Sequence, residues 1–210
     1  MDFWEASLNE GSFKERLEPE YLNSPELGQV LESFLSRSEI KALDVGCGPI
    51  STLGKKYRSL SVTRTLVDPL ASSYYPMLKQ MNVPEDEWPV ECEGEKLDDL
   101  YTPESFDLVY MCNALDHCHD PFDVVSQLGK LVTPGGVLYL EHFENEAEKE
   151  DYSGLHQWNL FEERGDLWIA NRTVMHSLRK LLGNQFQVHA RPVYRKGGFV
   201  IATALKRRSA

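Results

Sequence analysis

Short apolar runs alternate with helix-compatible stretches through the middle of the chain, and this alternation limits the folds open to it. The runs that predict buried strands are 40–45, 61–68, 105–113 and 136–143, with a weaker one at 89–95. The stretches that predict helices between them are 50–59, 70–82 and 121–132. Strands that alternate with helices indicate βαβ units, and therefore a parallel sheet covered on both faces.

The two ends of the chain depart from this alternation. Residues 12–36 predict helix before the first strand, and residues 158–171 predict a hairpin that turns at Arg164-Gly165 or Gly165-Asp166. A helix at 173–182 and the strands FQVHARPV and FVIATAL follow, and the Gly197-Gly198 turn makes the last strand antiparallel to its neighbour. The expected fold is α/β: a doubly wound, Rossmann-like, mostly parallel sheet of about seven strands with an antiparallel edge strand and helices on both faces.

Composition argues against two kinds of partner. The formal net charge is -11, so a phosphate-tracking surface of clustered Lys and Arg, and with it nucleic-acid binding, is not predicted. No apolar run approaches the roughly 20 residues of a membrane span, and the acidic N-terminus lacks the apolar segment of a signal peptide.

The four cysteines lack CxxC spacing and predict reduced thiols, so we expect a cytoplasmic protein.

The turn LDVGCGP follows the first strand, where doubly wound sheets bind ligands. Gly46 and Gly48 allow a tight turn and a close ligand approach, but the third glycine of a dinucleotide fingerprint is replaced by Ser51. Asp44 would repel a pyrophosphate, yet it suits a ligand with an ammonium and a sulfonium. Asp68 ends the second strand, near the position at which an acid binds ribose hydroxyls. S-adenosylmethionine, which has those hydroxyls and no phosphate, is therefore the expected cofactor, with S-adenosylhomocysteine as its product.

Five ordered segments resemble the motifs of class I S-adenosylmethionine-dependent methyltransferases of the type 11 kind. They are ALDVGCGP, LVDP, EGEKL, SFDLVYMCNALDH and VTPGGVLYLEHF, and they span residues 38–143. A further string, NEAEKEDYSGLHQWNLF, is similar to small methyltransferases of bacterial surface-glycan gene clusters. The resemblance implies methyl transfer on a Rossmann-like fold.

The resemblance also implies which residues bind the cofactor. By position they are Asp44, Gly46, Cys47, Gly48, Asp68, Pro69, Glu93, Gly94, Asn113 and Ala114. The Gly46 turn would hold the methionine end and Asp68 the ribose. Glu93 and Gly94 would contact adenine, although the family often has Asp at the first of these positions. Asn113 and Ala114 would lie under the sulfonium.

The leading region offers a further cofactor contact. Trp4, Phe13 and Arg16 can close over the cofactor, with Arg16 pairing its carboxylate, or they can belong to an ordinary surface helix. Both interpretations stay open at this point.

The stretch NALDHCHDP, residues 113–121, concentrates possible metal ligands after the fourth strand. A zinc site needs ligands from two clusters of suitable spacing, and no CxxC or HxxxH exists elsewhere, so no metal is predicted. Cys112 and Cys118 predict packing residues, and residues 119–121 predict a turn and helix cap. His117 is open between a packing or cofactor-supporting role and a catalytic one.

Methyl transfer depends on positioning, and an oxygen or nitrogen acceptor can also need a general base. His142, at the end of the fifth strand, is the first candidate for this base, with Glu141 to orient its ring. His117 is the second candidate, and His156 the third. A structural role for His142 stays open.

Residues 144–171 can contribute to an acceptor site. Tyr152, His156 and Trp158 can form a wall on which a sugar or ring stacks, or the aromatic side chains of this insert can pack into an extended core. We expect one domain of 1–210, with an N-terminal helical region (1–37), a cofactor-binding core (38–143), this insert (144–171) and a C-terminal helix and hairpin (172–210).

The predicted function is methyl transfer from S-adenosylmethionine to an oxygen or nitrogen of a small molecule or glycan. An NAD(P)-dependent oxidoreductase is the first alternative, and Ser51 disfavours it. A non-catalytic S-adenosylmethionine-binding module is the second. The sequence does not name the acceptor.

Overall fold

The structure is a computed structural model that describes residues 13–209. Its centre is an eight-stranded sheet. A separate sheet of three strands lies beside it. In chain order the strands are β1 (Glu39–Val45), β2 (Lys56–Tyr57), β3 (Leu60–Asp68), β4 (Val90–Glu91), β5 (Phe106–Cys112), β6 (Val132–Phe143), β7 (Asn159–Glu163), β8 (Asp166–Ala170), β9 (Met175–Ser177), β10 (Phe186–Arg195) and β11 (Gly198–Arg207).

The large sheet has the order β10-β11-β6-β5-β1-β3-β2, and β4 also pairs with β3. The pairs β1–β3, β1–β5, β5–β6 and β3–β4 are parallel, whereas β11 runs antiparallel to both β6 and β10 and the two-residue β2 runs antiparallel to β3. The predicted mostly parallel sheet with an antiparallel strand at one side is therefore confirmed. Because the chain leaves β1 for β3 on one side and later forms β5 on the other, the carboxyl end of β1 is a topological switch point.

Five α-helices surround the sheet in the described part of the chain. They are α1 (Pro25–Glu32), α2 (Ala71–Gln80), α3 (Pro121–Leu131), α4 (Glu146–Lys149) and α5 (Leu178–Leu182). The first residues of α1 and α3 are prolines, and each helix follows a side-chain cap. The Ser24 hydroxyl accepts the amide of Leu27 at 3.1 Å, and the Asp120 carboxylate accepts the amide of Phe122 at 3.0 Å. The predicted turn and cap at residues 119–121 are therefore confirmed.

The predicted helix at 50–59 is wrong. This segment is a loop that continues into the short strand β2. A Cβ at Gly54 would lie 2.2 Å from the carbonyl oxygen of Tyr21, and Leu53 forms a bridge with Leu22. The leading segment thus packs its backbone against this loop and takes the place that a helix would occupy.

Three other boundaries differ from the expectation. The predicted strand at 89–95 is only two residues long and continues into a 3-10 helix, Gly94–Asp99. Of the predicted helical region 12–36, the described residues 13–36 are helical only at Glu15–Leu17 and in α1, because Pro19 separates the two helices and Pro25 begins the second. Of the predicted helix at 173–182, the first part is the strand β9, which pairs with β8.

The hairpin predicted within 158–171 is confirmed as β7 and β8. Its turn residues Arg164 and Gly165 have φ values of 55° and 72°, as a type I′ turn requires. Leu160, Leu167 and Ile169 of this hairpin are fully buried in the same cluster as the central strands. The insert therefore forms part of the core as well as part of the surface.

Alternate residues of β5 and β6 face two different cores. Val109 and Leu140 pack with α3 on one face of the sheet, whereas Tyr110 and Tyr139 pack with α1 on the other. No helix among residues 13–209 is long and apolar enough to cross a membrane.

Candidate active site

The turn after β1 has the backbone that only glycine adopts readily. Gly46 and Gly48 have φ values of 66° and 64°. A Cβ at Gly46 would lie 2.4 Å from the Cβ of Ala114, so the turn is in close contact with the loop after β5. The amides of Gly46 and Cys47 donate to the carbonyl of Val67 at 2.9 and 3.2 Å. The structure thus brings together three segments of the predicted cofactor site.

Asp68 holds this turn in place. One of its oxygens accepts the Gly48 amide at 2.8 Å, and the other accepts the Leu70 amide at 2.9 Å and the Tyr74 hydroxyl at 3.2 Å. The side chain is buried, and burial raises its pKa. Each carboxylate oxygen can accept more than one hydrogen bond, so these contacts leave capacity for a ligand.

Asp44 is the second buried carboxyl group beside the turn. Ser51 donates its hydroxyl to Asp44 at 2.5 Å. Burial raises the pKa of Asp44 to about 7, although the Ser51 hydrogen bond and the Arg64 guanidinium favour the charged form. A cationic group of a ligand at this position would stabilise the ionised carboxylate. Ser51, which replaces the third glycine of the dinucleotide motif, is therefore a partner of Asp44.

Arg16 lies beside the same loop. Its guanidinium donates to the carbonyl of Ile50 at 3.4 Å and stands 5.0 Å from the ring centroid of Phe13. This position is compatible with the predicted contact to a cofactor carboxylate. Trp4, predicted to close over the cofactor with them, lies outside the described residues.

A cavity of about 280 Å³ lies at the ends of β3 and β4. Its lining includes Pro69, Glu91 and Glu93. Glu93 forms an ion pair with Lys96 at 2.9 Å. A Cβ at Gly94 would lie 3.1 Å from Val124, so this glycine allows α3 to pack closely. Glu91, which the sequence reasoning did not single out, is the register partner of Asp68 and an acid at the end of its own strand.

Asn113 joins the ends of β5 and β6. The side-chain oxygen of Asn113 accepts the backbone N–H of Phe143 at 3.0 Å. The backbone N–H of Asn113 donates to the carbonyl oxygen of Glu141 at 3.0 Å. The residue has a φ of 47°, which turns the chain sharply toward the loop that carries Ala114. Asn113 thus positions the wall of the predicted cofactor site.

A cluster of one carboxylate and two imidazoles lies just beyond Ala114. Asp116 Oδ2 is 2.8 Å from His156 Nδ1 and 3.3 Å from His117 Nε2. The two ring nitrogens are 3.2 Å apart. Burial lowers the pKa of His117, and Asp116 opposes that shift. Asp116 was not singled out from the sequence, although it lies within the stretch NALDHCHDP.

His142, the first candidate for a general base, is buried and 1% exposed. Neither of its ring nitrogens has a hydrogen-bond partner within residues 13–209. Burial lowers its pKa to about 4, and the negative charge of Asp116 opposes the shift. The ring is therefore neutral near pH 7 and has a free lone pair.

The predicted pairing of Glu141 with His142 is wrong. The Glu141 carboxylate accepts the Ser24 hydroxyl at 2.6 Å, the Tyr139 hydroxyl at 2.7 Å and the Asn23 amide at 3.4 Å. Successive residues of a strand point to opposite faces, so Glu141 faces α1 while His142 faces α3. Glu141 anchors the capping residue of α1 to the sheet.

The insert residues divide between the core and the surface. Trp158 is buried, donates its indole N–H to the carbonyl of Cys118 at 3.0 Å and meets the Phe122 ring edge-on at 5.2 Å. The core-packing alternative therefore describes Trp158. Tyr152 is half-buried, accepts the Asn159 amide at 3.0 Å and lies under the guanidinium of Arg172 at 4.2 Å.

Comparison with known proteins identifies the class to which this fold and this site belong. Residues 19–189 match the family model described as a methyltransferase domain. The chain therefore belongs to the methyltransferase family, and it is a class I enzyme whose cofactor is S-adenosylmethionine, as the ordered motifs predicted. The search of curated proteins gives no match.

Solved structures share the fold at low sequence identity. The Burkholderia thailandensis 1,6-didemethyltoxoflavin-N1-methyltransferase, solved with 1,6-didemethyltoxoflavin and S-adenosylhomocysteine, is 18% identical with a TM-score of 0.52, covering 100% of this chain and 87% of its own. The N-methyltransferase NodS from Bradyrhizobium japonicum is 13% identical with a TM-score of 0.55, covering 89% and 97%. A putative methyltransferase from Bacillus halodurans is 15% identical with a TM-score of 0.56, covering 89% and 100%.

Proposed function

We propose that this enzyme transfers the methyl group of S-adenosylmethionine to a nitrogen or oxygen of a small molecule. The observation that carries this proposal is the acidic turn after β1. A phosphate-free, cationic cofactor suits the buried Asp44 carboxyl and the Gly46–Gly48 backbone, whereas a pyrophosphate would meet negative charge there.

The cofactor lies, in this proposal, across the carboxyl ends of β1 and β3. The turn that includes Cys47 receives the methionine end, with Asp44 facing its ammonium and Arg16 its carboxylate. Asp68 and Pro69 receive the ribose. The contact between Gly46 and Ala114 supports this arrangement, because it brings the loop after β5 against the turn.

The adenine extends into the cavity beside Pro69. Glu93 lines that cavity, and the neighbouring Gly94 lets the chain pass close to α3. Asn113 fixes the loop on the sulfonium side through its bonds to β6.

The acceptor binds beyond Ala114, between the loop after β5 and the insert. The side chains of His117 and His156 are 39% and 29% exposed there, so an acceptor can reach them. Tyr152 belongs to the same insert and is half-buried. The N1-methyltransferase and the N-methyltransferase of similar fold modify nitrogen, according to their names, which is consistent with a nitrogen acceptor here.

His142 accepts the acceptor's proton in this proposal. Its ring is neutral near pH 7 and has no partner within residues 13–209. In the reaction a nitrogen or oxygen lone pair forms the bond to the methyl carbon, and the carbon–sulfur bond breaks with its electron pair going to sulfur. The proton leaves to the imidazole and is released from it when the product leaves the site.

Calorimetry and label transfer test the proposal together. We expect S-adenosylhomocysteine to bind at least tenfold more tightly than NADP⁺. A tenfold difference in affinity corresponds to about 1.4 kcal/mol of binding free energy. We also expect methyl-labelled S-adenosylmethionine to label small molecules of a cell extract. Tighter binding of NADP⁺ would overturn the cofactor assignment. Tight S-adenosylhomocysteine binding without any labelled product would favour the alternative in which the protein binds the cofactor but does not transfer its methyl group.

A further inference from the structure

The Asp116, His117 and His156 side chains bring three potential ligand atoms close together. Asp116 and His117 belong to the 3-10 helix Leu115–His117, and His156 comes from the insert. The three separations are 2.8, 3.2 and 3.3 Å, measured between Asp116 Oδ2, His117 Nε2 and His156 Nδ1.

Hydrogen bonds cannot satisfy all three contacts of this triangle. A ring nitrogen of a neutral imidazole carries either one proton or one lone pair. If both nitrogens donate to the carboxylate, two N–H groups face each other at 3.2 Å. If one nitrogen is unprotonated, its lone pair and the carboxylate oxygen are both acceptors, so the contact between them is not a hydrogen bond. A cation at the centre would accept a lone pair from each of the three atoms at once.

A second observation concerns the same carboxyl group. The other oxygen of Asp116, Oδ1, is buried and has no hydrogen-bond partner within the part of the chain that the structure describes. The Asp116 residue is only 1% exposed, so its carboxylate is nearly cut off from solvent. An unpaired buried carboxylate oxygen is costly unless a cation or a donor compensates it.

The separations match the face of a metal coordination polyhedron. Zinc binds imidazole nitrogen at about 2.0–2.1 Å and carboxylate oxygen at about 2.0–2.2 Å, which places tetrahedral ligand atoms roughly 3.3 Å apart. The observed separations of 2.8 to 3.3 Å need adjustments of only a few tenths of an ångström. Two imidazoles and one carboxylate with an open side are also the ligand set of catalytic zinc and non-haem iron sites.

We propose that Asp116, His117 and His156 bind a divalent first-row transition cation of the zinc class. Charge is consistent with the assignment, because the Glu146 carboxyl group interacts electrostatically with both Asp116 and His156. The exposed sides of the two imidazoles leave the remaining coordination positions open toward solvent. Residues 113–121 supply only part of this ligand set, and the second histidine comes from 39 residues further along the chain, so sequence spacing predicted no metal here.

The cation would also orient the acceptor, and this part rests on the proposed function. Its open positions face the entrance beyond Ala114, so an oxygen or nitrogen donor of the acceptor can occupy one of them. That donor need not be the methylated atom. The acceptor class would then be small molecules with a metal-binding group near the methylated position.

Cobalt absorption provides the test, because Co²⁺ bound by imidazole and carboxylate shows visible d–d bands. The full-length protein is stripped with EDTA, dialysed and titrated with Co²⁺, and Zn²⁺ is then added to displace it. We expect one saturating equivalent for the wild type. His156→Ala and Asp116→Asn should each weaken binding by about 100-fold or more, on the scale known for metal-site substitutions.

His119→Ala is the matched control, since His119 is an exposed histidine on the same loop. It should leave the titration unchanged. Circular dichroism checks folding, and His117→Gln serves as a second ligand variant if either of the first two fails to fold. Absence of a saturable Co²⁺ signal in the wild type would overturn the proposal, as would equal losses in His119→Ala and His156→Ala.

Calorimetry with S-adenosylhomocysteine on the same samples separates the two proposals. Normal S-adenosylhomocysteine binding without Co²⁺ binding would discard the cation and keep the proposed function. Co²⁺ binding without S-adenosylhomocysteine binding would support the cation site and overturn the cofactor assignment.

Discussion

Asp44 changes its charge near neutral pH, because burial raises its pKa from 3.8 to about 7. The ionised form attracts the ammonium of the cofactor, so we expect S-adenosylhomocysteine to bind more tightly as the pH rises from 6 to 8. Calorimetry across that range measures the slope. Asp44→Asn should remove most of it, and an equal slope in this variant would assign the pH dependence to another group.

The same pKa makes the free protein less stable as the pH rises. The folded carboxyl keeps its proton above pH 3.8 whereas the unfolded one loses it, so stability declines from about pH 4 to about pH 7. Asp68, whose pKa is also raised, acts in the same direction. Urea unfolding at pH 5 and pH 8 should show a smaller difference in Asp44→Asn than in the wild type. A larger difference would contradict the assignment.

Asp68→Asn tests the ribose site without emptying it. The amide can still accept one backbone hydrogen bond, but it loses the charge that strengthens bonds from hydroxyls, each worth about 1.5–3 kcal/mol. We expect at least a tenfold loss of S-adenosylhomocysteine affinity, with a normal circular dichroism spectrum. Glu91→Gln is the comparison: a larger loss in that variant would make Glu91 the ribose partner.

His142→Gln tests the proposed base with a side chain of similar size. We expect kcat to fall about 100-fold, within the usual range for general bases, while S-adenosylhomocysteine affinity changes by less than about threefold. His117→Ala and His156→Ala are measured beside it. All variants are compared after EDTA treatment, so that loss of a bound cation affects none of them selectively. A larger kcat loss in either would then reject His142 as the base, and a loss of thermal stability with unchanged kcat would make it structural.

At the scale of elements, the turn after β1 depends on its contact with the loop after β5. Gly46→Ala would place a methyl group 2.4 Å from the Cβ of Ala114 and would also strain a φ of 66°. We expect cofactor binding to fall by at least tenfold and stability to fall by about 1–3 kcal/mol. Isothermal titration and urea unfolding measure the two effects.

Gly154→Ala separates strain from the steric clash. Gly154 has a φ of 57°, but no atom lies within 4 Å of the position that an alanine methyl group would take, so only the backbone strain applies there. Its stability loss should be smaller than that of Gly46→Ala, and cofactor affinity should not change. Adding Ala114→Gly to Gly46→Ala should restore part of the binding. If Gly46→Ala and Gly154→Ala have equal effects on stability and cofactor affinity, the contact between Gly46 and Ala114 does not contribute to either.

At the scale of the whole molecule, the insert and the central sheet share one core. Leu160, Leu167 and Ile169 of the hairpin pack with Val109 and Leu138 of the central strands. We therefore propose that the chain folds as a single domain. Urea unfolding should give one transition by tryptophan fluorescence and by circular dichroism, whereas separate transitions would mean separate units.

Trp158→Ala tests the contribution of the insert to that core. Loss of a buried tryptophan typically costs about 3–5 kcal/mol, and this one also donates a hydrogen bond to Cys118. Trp168→Ala is the matched control, because that ring is half-buried and stacks on Phe161 at 6.4 Å. A larger loss of stability in Trp168→Ala than in Trp158→Ala would show that Trp158 is not the main packing contact between the insert and the sheet.

The sequence by itself determined the features that depend on neighbours along the chain. Apolar runs predicted β1, β3, β5 and β6, since burial of a strand requires apolar residues within that strand. The glycines and acids at the ends of β1 and β3 predicted a phosphate-free cofactor, because backbone freedom and charge are properties of single residues. The hairpin followed for the same reason, although the structure decided between a turn at Arg164-Gly165 and one at Gly165-Asp166.

Tertiary structure decided what depends on segments far apart in the chain. Residues 50–59 are not helical because the leading segment packs against Gly54. Alternation along β6 separates Glu141 from His142, but only the packed chain shows that Glu141 accepts the hydroxyl of Ser24. Asp116 and His156 meet only because the insert folds back over the loop after β5. Periodicity and spacing report local geometry, and contacts between distant segments arise only when the whole chain packs.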